Sequence, residues 1–540
     1  MKYIFRPALL CAVAASMMLS SCIDETEPTN QVTQEQLNGS DKGLEAMLKA
    51  MPAYMKTYGV WPINREVQPY DFAYPSTMIA RNFMAGDCFQ PYNGRQFFYY
   101  YQSVTKSMDD EYFCSQLNWY FYNFEVRTCE SLIAAIDANT EDPAKQSQLA
   151  QAKTYRAAML IDMARTYEYL PSDNISPINK SGNNITGLTV PVTIDGVTDP
   201  DNNPRMKHDD MRNYLLGQLD EAIALFKKSG IAPASKDLPS EAVAHGIKAR
   251  VYMWDEDYVN AAKEADLAIT TSGATPLTRA QFTDPKTGFN DMTPSAWLWG
   301  LQIESNDDVV YYTGWGSFMI AESDYGYSGK YACSPTADKN FYESIPDKDW
   351  RKLLFKAPKG SSLSGQEPFL NAAKGAQLAP YVSIKFRCGQ GVTNDPTVTN
   401  AVAIPLMRVE EMYFIKAEAL AHTNYAQGKA ALENFMKNYR YAEYVDPAND
   451  QASLIEEIFK QKSIELWGEG QTFFDIKRLN ISVTRAYPGT NWPQGSRFNT
   501  VGRPGWTTWP FVDYEANFNK GVEGWLNPNI GNKFTSLDNI

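Results

Sequence analysis

Histidine is nearly missing. The 540 residues hold three, His208, His245 and His422, and none has the HExxH spacing that sets two imidazoles on one helix face for a metal. No GxSxG elbow and no phosphate-cradling GxxxxGK[ST] loop occurs. A glycosidase working with two carboxylates needs no histidine, so this scarcity alone leaves one catalytic class open. Cysteine is sparse too: seven residues without a close CxxC pair signal neither a zinc site nor a disulfide framework, although a lone bridging pair stays open. Positive charge is in deficit, 50 Lys and Arg against 63 Asp and Glu. The net charge of −13 excludes nucleic acid as a natural partner. After the N-terminus there is no apolar run long enough to cross a bilayer.

The N-terminus itself reads as an address. Lys2 and Arg6 precede a short apolar stretch from Ala8 to Leu19, too short to span a membrane as a helix. Leu19-Ser20-Ser21-Cys22 resembles a bacterial lipobox. Cleavage before Cys22 would free its thiol for a diacylglycerol thioether, and several acyl chains together anchor a protein firmly. The acidic run Ile23-Asp24-Glu25-Thr26-Glu27 resembles the surface-export signal of Bacteroidetes lipoproteins. With Cys22 lipidated, Cys88, Cys114, Cys129, Cys333 and Cys388 remain, an odd number. The expected organisation is a signal peptide over 1–21, an acidic lipidated linker over 22–40 and a single domain over 41–540.

Within that domain helical periodicity dominates. Trp119, Tyr122, Val126, Cys129, Leu132 and Ile136 recur at spacings of three and four and predict an amphipathic helix over 116–138. Further helices are predicted over 145–170, before Pro171, and over 209–229, before Gly230. The segment 240–273 reads as a helical hairpin of tetratricopeptide type. Ser240 is its N-cap, Asp255-Glu256-Asp257 its break, and the alanines between let the two helices approach closely. A similar hairpin is predicted over 406–440, broken at Tyr425-Ala426-Gln427-Gly428. Residues 274–404 differ: they are rich in Gly, Pro, Ser, Thr and aromatics. Trp297 and Trp299 alternate there as in a strand with one buried face. So the expected architecture is mainly α, with hairpin scaffold at about 116–273 and 405–480. Long loop-rich insertions are expected at about 60–110, 274–404 and 485–540, too aromatic to be disordered.

Two stretches carry a family resemblance. IPLMRVEEMYFIKAEA, over 404–419, resembles the R-x-x-E-M-Y-x-I-x-A-E-A signature of the SusD/RagB family through Arg408, Glu411, Met412, Tyr413, Ile415, Ala417, Glu418 and Ala419. LIEEIFKQKSIELWGEGQTFFDIKR, over 454–478, is similar to a second family helix through Glu465, Leu466, Glu469, Gly470, Asp475 and Arg478, with Gln461-Lys462 in place of the usual Glu-Arg. Lys385 in PYVSIKF and a late Pro510…Glu515…Asn517 element fall in the family's order. The charged motif residues have apolar neighbours and read as helix-locking ion pairs, not as chemistry.

The resemblance implies a SusD-like fold and a non-catalytic, outer-membrane, lipid-anchored glycan-binding protein facing the cell exterior. Such proteins capture oligosaccharide or polysaccharide and deliver it to a partner SusC-like TonB-dependent transporter. The helical side would pack on the transporter and the loop-rich side would hold the ligand. No cofactor is implied, although some members carry a structural calcium. Peptide capture for the same kind of transporter is the alternative, and a surface glycosidase a third reading.

On that loop-rich side one stretch is unusual: DDVVYYTGWGSFMIAESDYGYSGKY, over 307–331, sets large aromatics among glycines. A sugar presents a face of C–H bonds that stacks on an aromatic ring, while carboxylates, amides and Arg reach its hydroxyls. The expected ligand-binding residues here are Tyr312, Trp315, Tyr325, Tyr327, Tyr331 and Asp324, with Phe318 and Met319 buried. A second stretch, 81–101, offers Asp87, Tyr92, Asn93 and Arg95, with Phe97 to Tyr101 mostly core.

Overall fold

The computed structural model describes residues 40–60, 66–194, 197–311 and 313–538. Residues 1–39, which hold the expected signal peptide, Cys22 and all but the last residue of the expected acidic linker, and Tyr312 lie outside the described residues.

Eleven α-helices of seven or more residues are described: α1 Asp41–Tyr54, α2 Ala73–Ala85, α3 Phe113–Ala135, α4 Pro143–Tyr167, α5 His208–Ser229, α6 Glu241–Trp254, α7 Tyr258–Ser272, α8 Val409–Thr423, α9 Tyr425–Tyr439, α10 Gln451–Glu465 and α11 Thr472–Arg478. Their limits follow local chemistry. The Asp142 carboxylate accepts from the backbone N–H of Ala144 and Lys145 at the head of α4, with Pro143 in the first turn, where a missing N–H costs nothing. Ser240 caps α6 through the N–H of Val243. Gly230 and Gly273 end α5 and α7 at φ of 62° and 60°, a conformation that favours glycine.

Consecutive helices pack on one another from α3 to α7, and α7 packs on α8, so the two hairpin regions join into one helical layer. The hairpin α8–α9 turns on Asn424 alone, which also caps α9, and not on Tyr425 to Gly428. Gly428 lies inside α9 because a Cβ there would stand 2.4 Å from the Cα of Ala421 on α8. The helix α2 lies in a region expected to be loop-rich; it is buried on every side, with Ser76, Thr77, Arg81 and Asn82 inside along with its apolar residues, so it has no solvent face whose polar residues would mark an amphipathic helix.

Among the described residues four short strands form two antiparallel pairs. β2 (Trp297–Gln302) pairs with β4 (Ala403–Arg408), which runs directly into α8. Both faces of β2 are buried, not one: Leu298, between the two tryptophans, is buried as they are, while Trp299 meets Tyr155 of α4 edge-on at 4.9 Å and Trp297 packs against Phe289 at 5.5 Å. β1 (Cys88–Phe89) pairs with β3 (Thr336–Ala337), which draws the 81–101 stretch up to the end of the 307–331 stretch.

The family-motif residues form the ionic interior. Glu465 receives Arg351 at 3.2 Å, Arg408 at 3.2 Å and Arg440 at 2.6 Å. Lys385 donates to Glu469 at 2.6 Å and to two backbone carbonyls, and burial pushes its ammonium down to about 8. Lys462, one of the residues that depart from the family pattern, still pairs with Asp475 at 2.8 Å. The five described cysteines are all buried and unbridged.

Candidate ligand-binding site

The glycines of 307–331 do not make a limp loop. A Cβ on Gly329 would meet the Ser323 carbonyl oxygen at 1.9 Å, and one on Gly326, at φ 77°, the Cα of Ser317 at 2.6 Å. The stretch therefore folds upon itself, with one helical turn over Trp315–Met319 and a wide turn over Gly326–Lys330.

This folding sorts the aromatics. Trp315 is 2% exposed and sits edge-on to Phe386 at 5.1 Å, so its ring offers no face to a ligand. Tyr327 is also buried, stacked on Phe318 at 4.7 Å and against Phe97 at 4.8 Å. These two expected platforms are core, because close backbone packing at the glycines pulls their rings inward. Phe318 and Met319 are buried as expected. Tyr325 and Tyr331 remain half-buried and Asp324 is exposed. The Tyr325 hydroxyl donates to the Asn394 carbonyl at 2.9 Å. Partial burial pushes the Asp324 carboxyl up, but hydrogen bonds from Lys374 and Thr393 outweigh it and hold the carboxyl below its usual range.

The structure brings most of the second stretch to the same place. Asn93 donates to the Tyr331 carbonyl and accepts from the Cys333 thiol at 2.6 Å. The exposed Arg95 guanidinium stands 5.2 Å from the centre of the Tyr331 ring, a cation over an aromatic face. Tyr92 is tied inward through its hydroxyl to Ser103 and, at 2.6 Å, to Ser496, which leaves its ring only partly open. Asp87 does not join them. It lines a different cavity of about 190 Å³ beside Thr472 and Val483. There burial and the neighbouring Asp338 push its carboxyl up to about 7, against Arg485 and Thr472. Of Phe97 to Tyr101, Phe98 and Tyr101 are core and the other three half-buried.

Between the two stretches lies a groove of about 670 Å³, within the range of small-molecule sites. Phe89 and Pro91 come from one side, Gly329 and Lys330 from another, and Lys374 and Tyr381 close it. That third wall was not foreseen. It arrives through the antiparallel bridge of Thr336 with Val382 and the hydrogen bond from Ala337 N–H to the Tyr381 carbonyl, neither of which has a local sequence signal. Tyr381 and Ala332, both on the groove wall, hold φ of 71° and 54°, a strained choice for residues with a Cβ.

Two other cavities fit a ligand less well. One of about 730 Å³ lies at the ends of α5 and α7, and its Lys236 is spent on the carbonyls of Met292, Thr293 and Pro294. The other, about 210 Å³ within the helical layer, has walls on which most charges already pair, among them Arg250 with Glu411 at 2.7 Å and His208 with Glu168 at 2.8 Å, while Lys477 donates to the Arg165 and Thr166 carbonyls. Among the described residues one cluster has metal-ligand character, His208, Asp209 and Asp255. Arg212 already bridges both of its carboxylates, at 3.1 and 2.8 Å, so a cation there would have to displace it.

Comparison with known proteins places this architecture. Residues 333–528 match the model of the SusD family. A SusD-like carbohydrate binding protein from Bacteroides vulgatus superposes with a TM-score of 0.67 over 91% of this chain and 98% of its own, at 19% identity. This is a SusD-family fold. A SusD-like carbohydrate binding protein from Bacteroides fragilis has a TM-score of 0.63 over 90% of this chain and 99% of its own at 17% identity. A SusD superfamily protein from Bacteroides thetaiotaomicron has 0.63 over 89% and 98% at 15% identity. No curated protein sequence matches. The mainly helical SusD-like architecture expected from the two motifs is thus present, with both motifs in the ionic interior. None of the described helices of the SusD-like fold is long and apolar enough to cross a membrane.

Proposed function

We propose that this chain is a non-catalytic glycan-binding lipoprotein. It captures oligosaccharide or polysaccharide at the cell exterior and passes it to a TonB-dependent outer-membrane transporter. The observation that carries the reading is the groove at the junction of the 81–101 and 307–331 stretches, where a tyrosine, an amide and a guanidinium converge beside about 670 Å³ of open volume. Similar folds described as carbohydrate binding proteins support the ligand class. The lipobox at Cys22 supports the anchor. The continuous helical layer, of tetratricopeptide type, is the side offered to the transporter.

The groove lining carries no carboxylate, so the acid and base of a glycosidase are not supplied there. The test is a glycan array probed with the detergent-solubilised full chain, beside a peptide panel and a product assay. Glycan binding without product is expected. Binding confined to peptides would replace the glycan by a peptide ligand, and released product would make the protein an enzyme.

A further inference from the structure

The groove runs against the charge of the molecule that carries it. The chain has a net charge of −13, yet the charged residues lining the groove are Lys330 and Lys374, with no carboxylate among the lining residues. Lys374 is partly committed: its ammonium lies 2.6 Å from Asp324 and also donates to the Ser323 carbonyl. Lys330 is exposed and forms no ion pair among the described residues, and its ammonium stands 5.6 Å from the centre of the Tyr331 ring. Arg95 is likewise exposed, without an ion pair among the described residues, and approaches the same ring to 5.2 Å. Two uncompensated cations therefore converge on one half-buried tyrosine beside the groove, in a chain where carboxylates outnumber cations.

Neutral sugars offer hydroxyls, which both donate and accept, and their sites answer with acceptors as well as donors. Lysine and arginine have no acceptor lone pair. Their natural complement is an anion. The planar fork of Arg95 suits a carboxylate or sulfate held at two points, and Lys330 suits either as a point charge.

We propose that the groove binds an acidic glycan, one bearing hexuronate carboxylates or sulfate esters, with Lys330 and Arg95 as the residues that select for its charge. The proposal rests on the glycan reading above and narrows it.

The test titrates the detergent-solubilised full chain with three sets of oligosaccharides. These are uronate-bearing (oligogalacturonide, oligoalginate), sulfated (chondroitin sulfate and heparin fragments) and neutral (malto-, xylo- and galacto-oligosaccharides). Binding to at least one acidic set is expected, and which set binds distinguishes carboxylate from sulfate. Its affinity should fall as salt rises from about 50 to about 500 mM. It should drop by roughly tenfold or more in each of Lys330→Glu and Arg95→Glu. Both residues are exposed, so the variants should melt with the parent protein. Binding to neutral sugars that the variants leave unchanged would overturn the acidic-glycan proposal while the glycan reading stands. Failure of every sugar in all three sets would overturn both.

Discussion

Trp315 and Tyr331 belong to the same glycine-rich stretch and have opposite fates. Trp315→Ala should cost roughly 3–5 kcal/mol of stability, the range for deleting a large buried aromatic, and leave the affinity of the folded protein for the proposed glycan ligand nearly unchanged. Tyr331→Ala should do the reverse: little change in melting and a loss of roughly 1–2 kcal/mol in binding. A melting curve and a calorimetric titration on each variant separate the two. If Trp315→Ala lost affinity at unchanged stability, its ring would face the ligand after all. Asp87 gives a second contrast. Its carboxyl is raised from 3.8 to about 7 in the folded state, so the folded protein holds a proton that the unfolded chain releases earlier. Its contribution to stability is therefore most favourable below pH 3.8 and declines as the pH rises towards 7. Asp87→Asn removes that decline. The variant should gain melting temperature over the parent at about pH 8 and match it near pH 4. An equal difference at both pH values would refute the assignment.

At the scale of elements α8 packs closely on α9 at Gly428. Gly428 is held by contact and not by conformation, since its Cβ would stand 2.4 Å from the backbone of Ala421. Gly428→Ala improves intrinsic helix propensity by about 1 kcal/mol, yet it must push two helices apart. Overpacking of this kind costs about 1–3 kcal/mol, so the net result should be a destabilised protein of unchanged helical content. Urea unfolding followed by circular dichroism measures it, and a variant more stable than the parent would mean that the hairpin yields freely. The short pair β1–β3 matters at this scale for position, because it holds Phe89 and the wall at Tyr381 on either side of the groove.

Across the whole molecule Glu465 is the junction. Arg351 comes from the loop-rich part, Arg408 from the end of β4 and Arg440 from the end of α9, and all three reach this one buried carboxylate. Burial alone would raise Glu465, but Arg440, Arg408 and Arg351 outweigh it and hold the carboxyl well below the usual range. Glu411, paired with Arg250, is also lowered against its burial. Glu418, against its own burial, is held by Arg478 at about 2. A depressed carboxyl contributes stability that is present above its unfolded value and lost as the pH falls through the folded one. The protein should therefore lose stability progressively from about pH 4.5 towards pH 2. Glu465→Gln leaves three guanidiniums without their shared charge, should cost about 3–5 kcal/mol, and should flatten that acid limb. An unchanged acid limb in this variant would show that Glu465 does not carry that loss of stability.

What the sequence determined by itself was local or repeated. Spacings of three and four located α3, and Ser240, Gly230 and Gly273 marked helix ends, because caps and amphipathic faces depend on neighbours within a turn or two. The motifs around Arg408 and Glu465 announced the family fold because those residues recur in order. The aromatic stretches were legible as places where a site could be built. Which rings face outward was decided only by the tertiary structure. Trp315 is buried by Phe386, and Tyr331 is left beside Arg95, through contacts between segments far apart in the chain. The same holds for the third wall of the groove and for α2. Burial depends on what a fold brings against a side chain, and no periodicity within one segment reports that.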